Sequence, residues 1–162
     1  MAVSAACSSS SDNNNNNNNP VPEIDAGITP VVDAAAIEDA VAQHEAAPAA
    51  ATFTQVYTDI ISPICVQCHN PNGIGVSLGH LDMSTKAVAF MDLVGVSAMG
   101  SACGGMGTRV VAGNANSSIL FKKVDPAQAS PCGSKMPLGL TPLTEAQTAE
   151  IEGWINAGAM NN

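Results

Sequence analysis

Residues 62–73 read SPICVQCHNPNG. Two thiols, Cys65 and Cys68, flank two residues, and the His69 imidazole follows at once. Cysteine and histidine are scarce, five and three in 162 residues, so their clustering calls for a chemical reason. Three chemistries use such a run. In covalent haem attachment, both thiols add to the vinyl groups and the histidine ligates the iron from the proximal side. In a zinc site the run is half of a tetrahedral ligand set. In a thioredoxin-like redox pair, one thiolate attacks a disulfide. A zinc site wants a second Cys/His pair, yet His44 and His80 stand alone and Cys103 and Cys132 form no C-x-x-C. A redox pair of that kind wants an alternating βαβ pattern, and none is visible. Haem attachment is the expectation; the plain alternative is two buried cysteines beside a surface histidine.

The elements that must position these residues lie in the C-terminal part. All five aromatic residues (Phe53, Tyr57, Phe90, Phe121, Trp154) follow residue 52. Residues 8–19, SSSSDNNNNNNN, are low in complexity, and 20–51 are rich in Pro, Ala and acid. Seven acids and no Lys or Arg precede residue 51; seven acids and five bases follow it, so the net charge of −9 belongs mostly to the front. An acidic segment with few large apolar groups cannot offset its ordering entropy, so residues 1–51 are expected to be a disordered tether. Within it, 33–47 can form a transient helix, and His44 is read as solvated. Residues 52–162 are expected to be one domain. No basic patch points to nucleic acid. Five aromatics make a thin core for about 110 residues, a deficit that a large, flat, apolar cofactor would fill.

Periodicity places four helices in this domain. TFTQVYTDIISPI (52–64) carries an apolar stripe from Phe53 to Ile64, with Thr52 or Thr54 as cap. Ser84 is expected to cap a helix ending at Gly95. A third helix runs from Asn116 to about Asp125, and TEAQ (144–147) is a capping box for the last helix, which buries Ile151, Trp154 and Ile155. Residues 73–79, 97–116 and 129–143 read as loops. No segment alternates as a strand does, so the class is all-α. The two terminal helices are expected to pack, with Trp154 against Phe53 or Tyr57.

The order helix, CVQCH, loop, short helices, KMP, helix resembles a class I cytochrome c domain of the small bacterial periplasmic or surface type. The likeness covers about residues 52–160 and is carried by CHNPNG, LDMST, VVAGNANSSILFKKV, KMPLG and LTEAQTAEIEGWINAGA. It implies about four short helices and long loops around one covalent haem c held by Cys65 and Cys68, with His69 as proximal and Met136 as distal iron ligand. Met136 precedes Pro137, which pins the backbone of a segment that must lie over the iron. Met99, Met106 and His80 are the rival distal ligands.

On this reading the chain is an exported single-electron carrier rather than an enzyme. No convincing distal His/Arg pair accompanies the iron, and thioether ligation raises the potential. The alternatives are a haem-based gas or redox sensor or enzyme subunit with a displaceable distal ligand, and a haem-free interaction module. Export suits a disulfide, and Cys103 with Cys132 would tie the glycine-rich loop to the Met136 loop; the alternative is two buried thiols. Cys7 follows small residues and precedes a polar tract, which resembles the lipidation site of bacterial lipoproteins. Six residues are too few for a leader, leaving a trimmed leader or an incidental cysteine as alternatives. The expected location is the periplasm or cell surface of a Gram-negative bacterium, with the membrane reached only through that lipid. The partners are expected to be redox proteins and the domain a monomer. Lys86, Arg109, Lys122, Lys123 and Lys135 are read as ordinary solvated charges, with a docking ring as the alternative.

Overall fold

A computed structural model describes residues 51–162. The tether, the transient helix at 33–47, His44 and the lipidation site at Cys7 lie outside the described residues. Ala51, the last residue assigned to the tether, packs against the core.

Among the described residues the domain is helical, with five α-helices and no strand. Three isolated bridges, one of them between Val94 and Val110, are its only β-type pairings. Helix α1 (Phe53–Val56) starts at Thr52, whose side chain and that of Gln55 form a capping box. The helix does not run on regularly. Residues Tyr57–Ile61 widen into a π turn, closed by Ser62 N–H donating to the Tyr57 carbonyl at 2.8 Å. Widening by one residue re-aims the chain just before the Cys65–Gln67 3-10 turn.

Helix α2 (Ile74–Ser77) occupies a segment expected to be a loop. Helix α3 (Lys86–Leu93) is capped by Thr85 rather than Ser84, through a bond to Val88 N–H. The third expected helix divides into a 3-10 turn, Ala115–Ser117, and α4 (Ile119–Val124). Helix α5 (Glu145–Asn156) has the expected Thr144/Gln147 capping box.

The core gathers Phe53, Val56, Ile60, Leu93, Val110, Ile151, Trp154 and Ile155. Trp154 is stacked on Phe53 as expected, and Phe90 meets Phe53 edge-on at 5.3 Å. The α1–α5 pair is closed at its end by Asn162, whose side-chain oxygen accepts from Phe53 N–H at 2.8 Å. Among the described residues no helix is long and apolar enough to cross a membrane.

Candidate functional site

The turn after α1 brings the three motif residues together. Cys68 and His69 N–H both donate to the Cys65 carbonyl, at 3.2 and 2.9 Å. Asn70 holds the turn from below, its side-chain amide donating to the Val66 and Gln67 carbonyls. The chain then doubles back, and Gly75 N–H donates to the Cys68 carbonyl at 2.9 Å. Cys65, Cys68 and His69 thereby line one cavity of about 360 Å³. Its walls are mostly apolar, from Ile74, Leu81, Leu93, Ile119 and Leu143 among others.

His69 is oriented by its backbone neighbourhood. Nδ1 lies 3.1 Å from the Leu81 carbonyl oxygen. A carbonyl can only accept, so Nδ1 carries the proton and Nε2 keeps its lone pair. Burial lowers the pKa of the imidazole; the Leu81 bond opposes that, and the positive charges of Arg109 and Lys123 add to it. A neutral imidazole with a free Nε2 is the form that binds a metal.

Gly75 makes this arrangement possible. A Cβ there would stand 2.3 Å from His69 Nδ1 and 2.8 Å from the Cys68 oxygen. Only hydrogen fits beneath the ring. The GIGV pattern at 73–76 carried that signal as a close backbone approach.

Cys65 is half-buried, and burial pushes its thiol up to about 12. A thioredoxin-like pair needs the opposite, an attacking thiol held low. Cys68 is itself disulfide-bonded in this structure. Among the described residues no group of three or more His, Cys, Asp or Glu side chains, the motif included, is arranged to hold a metal ion by itself.

Met136 lines the same cavity. Of the four side chains weighed as distal ligand, it alone is part of the cavity wall. Met99 and Met106 are 57% and 59% exposed, and His80 sits on an exposed turn. The loop that carries Met136 is fastened to α4. Met136 N–H donates to the Lys123 carbonyl at 2.9 Å. The Lys123 ammonium donates to the Cys132 and Ser134 carbonyls, at 2.7 and 2.8 Å. Lys135 reaches back to the Lys122 carbonyl at 2.8 Å and to that of Asp125. A Cys103–Cys132 disulfide, with Cα atoms 5.2 Å apart, joins the same loop to the glycine-rich segment.

The basic residues therefore depart from the solvated charges expected of them. Arg109 is buried, at 4% exposure, and Lys123 and Lys135 are half-buried against backbone carbonyls. Lys86 donates to Thr54 Oγ1 and the Asn162 carbonyl. Carbonyl oxygens at helix ends and in irregular loops lack intrahelical partners, and a long cationic side chain satisfies several at once. For Arg109 the sequence signal was its place before Val110 and Val111. Burial lowers the pKa of Arg109, with nearby Asp92 opposing, and that of Lys123, with Lys135 adding to the effect. Arg109 and Lys123 both line the cavity, and no carboxylate does. The cavity thus offers two thiol positions, an imidazole, the thioethers of Met83 and Met136, apolar walls and two cations. No protein-family model matches the chain, and no curated protein or solved structure does.

Proposed function

We propose that residues 52–162 form a cytochrome c-like domain that binds one haem c and carries single electrons. The observation that supports this most is the placement of His69 and Met136 on one apolar cavity together with Cys65 and Cys68. The donor set fits the group. Cys65 and Cys68 would hold the vinyl carbons, His69 and Met136 the iron, and Arg109 and Lys123 match a flat apolar molecule that carries carboxylates. The bound haem supplies a reversible one-electron couple. The chain's part would be to exclude water, hold the His69 and Met136 side chains on the iron and keep the potential high through the thioether. A disulfide accords with an exported protein, and Cys7 is the proposed point of attachment to a membrane. Redox proteins are the proposed partners.

The test is expression of the full chain with a periplasmic haem-attachment system. The expected product holds one haem per chain that resists acid–acetone extraction, shows a sharp ferrous α-band and does not bind carbon monoxide. A haem-free product overturns the reading. Rapid carbon monoxide binding would instead favour a gas sensor, since the sixth position would then be open.

A further inference from the structure

Arg109 does more than fill space. One guanidinium nitrogen donates to the Asp92 carbonyl at 2.8 Å, and the other to the carbonyls of Gly79 and His80 at 3.2 and 2.6 Å. Gly79 and His80 are consecutive. Aiming both carbonyls at one nitrogen accompanies a sharp turn, and His80 takes φ 50°, the left-handed region that disfavours side chains with a Cβ. The next carbonyl, of Leu81, accepts the Nδ1 proton of His69. Asp92 closes the ring of contacts, its carboxylate accepting from Asp82 N–H at 2.9 Å. The forked contact thus ends one residue before the acceptor that orients the imidazole.

We propose that Arg109 is a positioning residue for His69. By gripping three carbonyls it holds the 79–81 turn in its strained form. The Leu81 carbonyl then stays on Nδ1, and the imidazole keeps its lone pair on Nε2. Lysine carries the same charge but has no planar fork, so it cannot hold three carbonyls in this geometry. The functional consequence rests on the reading of His69 as an iron ligand; the positioning itself is a property of the chain with or without haem.

The test uses Arg109→Lys, His80→Gly and the double variant in the full chain. In the haem-free, 15N-labelled protein, solvent exchange of the His69 Nδ1 proton is expected to quicken roughly tenfold in Arg109→Lys, the scale of one lost hydrogen bond. His80→Gly alone should leave exchange unchanged. The double variant should recover most of the protection, because glycine takes the left-handed turn without a clamp. In the haem-loaded protein, Arg109→Lys should shift the reduction potential upward, since a weaker Nδ1 bond makes the imidazole a poorer donor to ferric iron. Wild-type exchange and potential in Arg109→Lys overturn the proposal, because charge alone would then suffice. Loss without rescue by glycine also overturns it, as does failure of both Arg109 variants to fold, which would assign Arg109 to the core at large. A chain that takes up no haem overturns the electron-carrier reading and leaves the exchange result standing.

Discussion

The indole of Trp154 stacks on the ring of Phe53, their centroids 4.8 Å apart and their planes 29° from parallel. Both side chains are essentially inaccessible, and the indole N–H donates to the Met160 carbonyl at 3.0 Å. This pair ties the first described helix to the last. Trp154→Ala should cost about 3–5 kcal/mol in a urea titration. Trp154→Phe keeps an aromatic ring and should cost less, about 1–2 kcal/mol, through the volume lost from a buried site and the lost indole N–H bond. A loss under about 1 kcal/mol for the alanine variant would mean the stack contributes little.

Gly75 and Gly153 make a matched pair for substitution. Gly75→Ala drives a methyl group into His69 and the Cys68 carbonyl. It should cost about 1–3 kcal/mol and lower the yield of haem-loaded protein. Gly153 lies inside α5 with nothing within 4 Å of a Cβ. Gly153→Ala should therefore stabilise the chain by about 0.5–1 kcal/mol. Thermal melting of both variants decides the matter; equal effects would refute the contact argument.

Replacing Cys103 and Cys132 with serine opens a closed loop of 29 residues. The expected loss is about 3–4 kcal/mol. The Lys123 ammonium still grips the Cys132 and Ser134 carbonyls, so the Met136 loop should stay ordered while the global denaturation midpoint falls. Amide exchange at Met136 faster than global unfolding would show that the bridge, not the lysine, holds the loop.

On the proposed haem c reading, Met136→Ala should leave covalent attachment intact, because Cys65, Cys68 and His69 are untouched. The far-red ferric sulfur-to-iron band should vanish, the potential should fall and carbon monoxide should bind. Met99→Ala and Met106→Ala alter exposed side chains and should change none of these. If one of them abolishes the band while Met136→Ala keeps it, the distal assignment is wrong.

Glu150 has one carboxylate oxygen sealed from solvent with no hydrogen-bond partner. Burial raises its pKa, and the negative charge of Asp59 adds to the rise. A carboxyl whose folded pKa lies above its unfolded value binds its proton more tightly when folded. Its contribution to stability is full below the unfolded value and is lost as pH rises through the raised one. Glu150→Gln should stabilise the chain slightly at neutral pH and flatten the fall in stability as pH rises from the ordinary carboxylate range through the raised value. A variant less stable at neutral pH would contradict this.

What the sequence determined by itself was local. The Thr144–Gln147 capping box, the apolar stripe of α5 and the close grouping of Cys65, Cys68 and His69 all follow from spacings of a few residues, whereas the structure chose Thr52 over Thr54 as the cap of α1. The same local rules misjudged Ile74–Ser77, where flanking glycines suggested a loop. Those glycines instead serve close approach, to the Cys68 carbonyl and to the His69 ring. Tertiary structure alone decided which of the candidate distal ligands lines the same cavity as His69. Met99, Met106 and Met136 are chemically alike, and only the path of the chain after α4 puts Met136 on the cavity wall. It also decided the fate of the cations. Arg109 looks in sequence like any surface charge, yet burial is tolerable where its guanidinium makes three hydrogen bonds, to the carbonyls of Gly79 and His80 in an irregular turn and to that of Asp92 in the last turn of α3. Such a match depends on where distant segments meet, and no short stretch of sequence encodes it.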